Sequence, residues 1–257
     1  MLEAIPVPAL SDNYIWLVAA PGQKSVVVVD PGEAAPVLEA LERNALEVAA
    51  ILVTHHHGDH VGGLAEVAAR YPDAPVYGPA TEEVAGVTAR VGGGDRVEVA
   101  ALETVFDVID TPGHTAGHVS FHGGGVLLCG DTLFAGGCGR VFEGSHAQMA
   151  ASLARLAALP GDTRGCCGHE YTLKNLAFAR AVEPDNEALA ERERGAKALR
   201  DAGRPTVPFE LAGELETNPF LRCDQPAVRA AAERHAGRAL DDAAAVFGAL
   251  RDWKDSF

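Results

Sequence analysis

The stretch Thr54-His55-His56-His57-Gly58-Asp59-His60 packs four histidines and an aspartate into six residues, directly after the apolar run 49–53. Titratable side chains at this density are costly to bury without partners, so any fold that accepts them has to present them at an edge. The run in front is short and apolar, which reads as a strand. On an extended chain, residues two apart point the same way, whereas on a helix they diverge. His55 and His57 can therefore share one ion where the strand ends. Gly58 lets the backbone turn, which brings Asp59 and His60 to a neighbouring point.

Three later segments supply what this stretch lacks. His114 sits in the Gly-rich loop Thr111-Pro112-Gly113-His114-Thr115-Ala116-Gly117-His118, after the apolar run 105–109. Asp131 follows the run 126–129, and His169 follows another short apolar run through Gly168. Each of these residues comes after a strand pattern and near a glycine, so all can meet at one edge of a sheet, where catalytic groups are commonly carried. His55, His57, His60, His114 and His169 offer nitrogens and Asp59 and Asp131 carboxylates. That is too many donors for one tetrahedral shell, but it suits two sites of three with a carboxylate shared between them. With no cysteine in the set, the donors suit Zn²⁺, Fe or Mn²⁺. A water held between two such cations is expected to be hydroxide near neutral pH.

The remaining sequence bounds the architecture. Short runs at 14–19, 25–29, 49–53, 97–99, 105–109, 119–122 and 126–129 read as strands, and helical patterns at 36–44, 61–71 and 145–159 interrupt them. Ser145 is a candidate N-cap. From about residue 170 the texture turns rich in Ala, Leu, Glu and Arg, good helix formers. We expect a strand-rich unit over 1–168 and a helical unit over 169–257, with breaks at 203–208 and 217–219. The acidic stretch 183–200 reads as a solvated helical face. A net charge of −15 argues against a broad nucleic-acid surface, yet a small anionic substrate needs only a local cluster of cations. Five cysteines, two of them adjacent, do not make a disulfide framework. There is no run of about 18 apolar residues, and the opening MLEAIPVPAL has no basic leader. A soluble, reduced, cytoplasmic monomer is expected, with no membrane or nucleic-acid partner.

The THxHxDH stretch with His114, Asp131 and His169 resembles the metallo-β-lactamase superfamily in order and spacing. The resemblance implies an α+β fold, a four-layer αββα sandwich with metals at one edge. By that pattern His55, His57 and His114 hold one ion, Asp59, His60 and His169 the other, and Asp131 bridges, while His56 and His118 are not ligands. Asp30, in an Asp-Pro-Gly turn, looks like a support behind the site, and a plain turn reads equally well. Further segments resemble the glyoxalase II (hydroxyacylglutathione hydrolase) family: Asp12-Asn13-Tyr14, Gly137-Cys138-Gly139-Arg140-Val141-Phe142-Glu143-Gly144, Gly168-His169-Glu170-Tyr171-Thr172, Asn218-Pro219-Phe220-Leu221-Arg222 and Lys254-Asp255-Ser256-Phe257.

That second resemblance implies a C-terminal helical domain overhanging the metals and a glutathione thioester as substrate. S-D-lactoylglutathione would be hydrolysed to glutathione and D-lactate by a metal-bridging hydroxide. Asp59 and Asp131 would be the catalytic carboxylates, and two divalent ions the cofactor, zinc first with iron or manganese as alternatives. Arg140, Phe142, Tyr171, Arg251 and Lys254 would line the glutathione site. Phe142 stands where some members carry Tyr, and Arg140 where some carry Lys. The competing readings are a persulfide dioxygenase of the same superfamily, with a single iron, and a metal-binding module without turnover.

Overall fold

Runs of Val, Ile and Leu build the first sheet from β1 (Glu3–Ala9), β2 (Asn13–Ala19), β3 (Ser25–Val29), β4 (Glu47–Leu52), β5 (Val76–Pro79) and β6 (Ala89–Val91), hydrogen-bonded in that order. The structure is a computed structural model and describes residues 1–257. The first three strands are antiparallel neighbours, and from β3 onward the pairing is parallel. Parallel pairs need crossovers, commonly helical. Here α1 (Ala34–Asn44) joins β3 to β4, and α2 (Gly58–Val61) with α3 (Leu64–Arg70) joins β4 to β5.

The second sheet contains β7 (Arg96–Val99), β8 (Thr104–Asp110), β9 (Val119–Gly123) and β10 (Val126–Gly130). After the small hairpin β11 (Leu133–Phe134) and β12 (Gly137–Cys138), it continues with β13 (Arg164–Cys167) and β14 (Phe209–Glu210). Its spatial order is β14-β13-β10-β9-β8-β7. The strand period of two assigns every β2 and β3 side chain to a layer. Tyr14, Trp16, Val18, Val27 and Val29 enter the core shared with the second sheet, while Ile15, Leu17, Val26 and Val28 pack outward with Val37 and Leu41 of α1 and Val67 of α3. Burial on both faces explains why these strands are continuous apolar runs without polar alternation.

Helix α4 (His146–Ala157) covers the second sheet with Met149, Leu153 and Leu156. Ser145 caps it as expected: its hydroxyl accepts from the Gln148 amide while the Gln148 side chain accepts from the Ser145 amide, a capping box. The C-terminal region adds α5 (Thr172–Val182), α6 (Glu187–Asp201), α7 (Leu211–Thr217), α8 (Pro226–Ala236) and α9 (Ala243–Asp255). Phe178, Val228, Phe247 and Leu250 from these helices join the same core as α4. The layers are helix, sheet, sheet, helix, and the α+β sandwich with its helical C-terminal region is the fold of this chain.

Three details depart from the sequence reading. The helix expected at 61–71 is two pieces, because a Cβ at Gly62 would lie 2.7 Å from the Gly32 oxygen and one at Gly63 2.4 Å from the Ala34 nitrogen. This close approach to the turn after β3 diverts the backbone. The strand β1 was not expected; it carries Pro6 and Pro8, which an edge strand tolerates because a missing N–H there breaks no inner ladder. The acidic stretch 183–200 is only partly solvated. Glu183 is buried and accepts two bonds from Arg222 at 2.8 and 2.9 Å, and Arg192 on α6 pairs with buried Glu214.

Candidate metal and substrate site

Four strands, β4, β8, β10 and β13, end at one edge of the sandwich, and the chain just past each carries the sequence-marked residues. There the structure brings the seven candidates together as two triads. Donor atoms of His55, His57 and His114 lie within 4.8 Å of one another, and so do those of Asp59, His60 and His169. Asp131 stands between the triads. Its Oδ2 is 3.4 Å from His114 Nε2 and 3.2 Å from His169 Nε2, and its Oδ1 is 3.3 Å from His60 Nε2.

The outer nitrogens of the rings determine which inner nitrogens carry lone pairs. Asp30, at the end of β3, accepts from the Thr54 amide (2.8 Å) and the Thr54 hydroxyl (2.7 Å). Since that hydroxyl proton is committed to a carboxylate, its oxygen accepts from His55 Nδ1 at 3.0 Å. His60 Nδ1 donates to Asp30 Oδ2, the oxygen that also accepts from the Thr54 hydroxyl, at 3.0 Å. His114 Nδ1 donates to the Arg140 carbonyl at 2.8 Å, and His169 Nδ1 to Asp12 at 2.9 Å. Each bond fixes a tautomer with the Nε2 lone pair facing inward, the arrangement a metal-binding imidazole needs. Asn13 donates to Asp59 Oδ2 at 3.0 Å and orients that carboxylate. His118, buried beside the set, uses its nitrogens on the Asp131 amide, Thr111 and Thr132, and is not among the donors.

These lone pairs create a shortage of protons. His57 Nδ1 lies 3.1 Å from His55 Nε2 and 2.9 Å from His114 Nε2, so at most one proton is available among three mutually close nitrogens. Beside the second triad, His60 Nε2 and Oδ1 of the neighbouring Asp131 are buried without a hydrogen-bond partner. Buried polar groups are rarely left so, and a cation satisfies all of them together. The protonation tendencies differ between the triads: the first keeps neutral imidazoles, and the second holds protons that a bound cation would displace. Burial holds His55 and His114 below the ordinary imidazole value, keeping them neutral. Burial also opposes charge on His60, but Asp131 and Asp30 outweigh it and pull its pKa well up; His169 is raised in the same way by Asp131 and Asp12. Asp131 is held well below the carboxylate range by His60 and His169 despite its burial. The donor set of nitrogen and oxygen in two adjacent groups suits a binuclear site for divalent metal ions.

A sequence model of the metallo-β-lactamase superfamily matches residues 10–169, and one described as the hydroxyacylglutathione hydrolase C-terminus matches residues 170–257. A hydroxyacylglutathione hydrolase from Alkalilimnicola ehrlichii is 55% identical over 255 residues, 99% of each chain. The chain belongs to the hydroxyacylglutathione hydrolase family. Its fold is shared more widely: the solved BLEG-1 B3 metallo-β-lactamase aligns with a TM-score of 0.63 at 23% identity, covering 86% of this chain and 99% of that one. The solved structure of TTHA1623 in a di-iron-bound form aligns with a TM-score of 0.54 at 30% identity, over 64% of this chain and 91% of that one.

In this hydroxyacylglutathione hydrolase family member, the other sequence-marked residues divide between rings beside the triads and cations beside the β11–β12 hairpin. Tyr171 stacks on His169 at the Asp59 end. Phe142 is 60% exposed, with its ring 5.3 Å from that of His114 and 6.0 Å from that of His57, over the three-histidine end. Arg140 and Arg251 meet through Asp255, whose Oδ1 accepts from Arg140 Nε at 3.1 Å and from the Arg251 guanidinium at 2.9 Å. Arg251 is buried and also donates to the Cys138 carbonyl at 3.0 Å. Lys254, one turn further along α9, holds its ammonium 5.3 Å above the Phe178 ring. The helical region thus grips the hairpin between Asp131 and Arg140; Asn175 bonds the Ala135 carbonyl and Asn218 the Gly137 carbonyl.

Sequence reading missed two contributors to the edge. Thr54 relays Asp30 to His55, and its place immediately before the histidines was the available signal. Glu82 is a buried carboxylate far from every motif, and nothing local marks it.

Proposed function

We propose that this protein hydrolyses S-D-lactoylglutathione to glutathione and D-lactate. The observation that carries the reading is the pair of complete triads with Asp131 between them, in a chain 55% identical along its length to a hydroxyacylglutathione hydrolase. In this reading His55, His57 and His114 hold one ion, Asp59, His60 and His169 the other, and Asp131 faces both. Bound there, two divalent cations supply Lewis acidity and bring water ionisation near neutral pH. Zinc is our first choice for so many imidazole donors, with iron and manganese also compatible. The fully built second triad favours this over the single-iron dioxygenase reading.

The chain's own residues then bind and orient. Neutral His55 and His114 keep lone pairs inward, and Asp59, held by Asn13, keeps a carboxylate at the second position. Arg140 and Lys254 offer cations suited to the carboxylates of glutathione, backed by buried Arg251 through Asp255, a local exception on a chain of net charge −15. Phe142 and Tyr171 offer rings on either side of the cluster for the thioester and its acyl group. A thiol leaves with a pKa of about 8.5, so no general acid is required of the protein. We assign 1–168 to a metallo-β-lactamase-like unit, which carries every proposed ligand but His169, and 169–257 to a helical substrate-binding unit; β14, pairing with β13, ties them together. No helix is long and apolar enough to cross a membrane. Five unpaired cysteines suit a reducing compartment, and a cytoplasmic monomer is part of the proposal.

The test is loss of thioester absorbance with purified protein before and after chelation. Rapid loss that stops on metal removal and returns on readdition is expected; metal-replete protein without turnover would leave a binding module instead.

A further inference from the structure

We propose that Glu82 is a positioning residue that locks the loop carrying His55 and His57, on the first sheet, to the loop carrying His114, on the second. It thereby sets the spacing of the three-nitrogen site. The inference rests on the assignment of those histidines to one ion.

The two loops come from different sheets, and at their bases one backbone bond joins them, from the Val119 amide to the Thr54 carbonyl at 3.0 Å, which leaves their tips to side chains. Glu82 follows β5 and is 7% exposed at the edge where they meet. One of its oxygens faces each loop. Oε2 accepts from the His56 amide at 2.7 Å and from His56 Nδ1 at 2.9 Å. Oε1 accepts from the Gly117 amide at 3.0 Å and from the Thr115 hydroxyl. His56 lies between two donors of the triad, and Thr115 is next to the third, so the carboxylate spans the site's two halves within one residue of each. The approach is close enough to exclude a side chain: a Cβ on Gly117 would fall 2.6 Å from Glu82 Cγ and 2.3 Å from the Thr81 hydroxyl. This also gives His56 a task, although it belongs to neither triad about Asp131. Its Nε2 lies 3.3 Å from Glu143 Oε1, and Glu143 Oε2 accepts from the Ala116 amide at 2.9 Å, a second strap across the same two loops.

An ionised carboxylate is acceptor-only on both oxygens, which is what four donors arriving from two sides require. The amide in E82Q keeps the shape but turns an N–H toward donors on one side. That releases one loop while leaving the packing intact. The partners that orient metal-binding side chains typically affect affinity by about 10–100-fold.

The experiment is a competition titration of metal-free protein with Zn²⁺ against a chromophoric chelator, with melting of the metal-free forms and steady-state kinetics alongside. Wild type is expected to take two equivalents. E82Q should hold one as tightly as wild type and the other about 10–100-fold more weakly, with metal-free melting close to wild type and a fall in kcat at nearly constant KM. T115V removes one donor to Glu82, and H56A removes one together with the Glu143 contact; T115V should weaken the same equivalent by about 2–10-fold and H56A by at least as much, which keeps the proposal testable if E82Q fails to fold. Wild-type affinity for both equivalents in the folded variants overturns the proposal while leaving the metal assignment standing. A wild-type protein that takes fewer than two equivalents removes the assignment itself, and the proposal with it.

Discussion

Tyr171 stacks on His169 with ring centroids 4.7 Å apart and planes 4° from parallel. His169 is thereby held on three sides, by this ring, by Asp12 at Nδ1 and by the site at Nε2. Burial, with Asp12, Asp131 and Asp59 adding to it, pushes the Tyr171 pKa up to about 12, so the hydroxyl remains a donor at any working pH. The Tyr171→Phe change keeps the stack and deletes the donor. KM for the thioester should rise about 2–10-fold with a smaller change in kcat, the size of one neutral hydrogen bond. Unchanged KM would show that this hydroxyl does not touch substrate.

Asp131 holds its carboxylate between the two triads, and Gly168 is packed against it. A Cβ on Gly168 would lie 2.5 Å from Asp131 Oδ1 and 2.6 Å from His60 Cε1. Both Asp131→Ala and Gly168→Ala should therefore lower bound metal below two equivalents and cut kcat by more than about 100-fold, beyond the usual loss for an outer partner. Elemental analysis of the purified variants checks this; two retained ions with near-normal turnover would refute the bridging role.

Lys254 gives the pH dependence a sign. Burial first, and then the neighbouring Arg251 charge, lower its pKa from 10.5 to about 8. The folded protein thus holds the ammonium less readily than the unfolded chain does. Below pH about 8 both states carry the charge and the folded one bears its full cost; between about 8 and 10.5 only the unfolded chain is protonated, and the cost is relieved. Lys254→Met should raise melting temperature at pH 7 and lose that advantage by pH 10.5. If the ammonium binds a substrate carboxylate, KM should climb above pH about 8 in wild type. Lys254→Arg, whose charge does not titrate there, should flatten the climb.

All five cysteines are buried and unpaired. Burial pushes Cys167 and Cys223 up to about 12 and raises the other three, leaving almost no thiolate at neutral pH. Native protein at pH 8 should take up no iodoacetamide within an hour, and denatured protein five equivalents, by intact mass. Rapid labelling of one thiol in the native state would show an opening that this structure does not contain.

The proposed metal donors were legible because each is local: a His or Asp within a few residues of a glycine at the end of an apolar run. The central strands were legible for a similar reason, since β2 and β3 are buried on both faces and need apolar residues without interruption. Strand β1 was hidden by Pro6 and Pro8, whose tolerance depends on an edge position that no local pattern announces. The break between α2 and α3 was hidden too, because apolar periodicity carries no record of a distant turn pressing on Gly62 and Gly63.

The sequence by itself determined the kinds of donor, their number and the apolar runs that build the central strands, all of which depend on neighbours in the chain. Only the tertiary structure decided which ring nitrogen faces inward, and that Arg140 and Arg251 share Asp255, 115 residues from Arg140 in the chain. It also assigned a role to Glu82, whose partners lie 26 to 35 residues away. Those relations depend on the packing of two sheets and a helical layer, and such packing sums many weak contacts between residues far apart in the chain, so no short window of sequence records it.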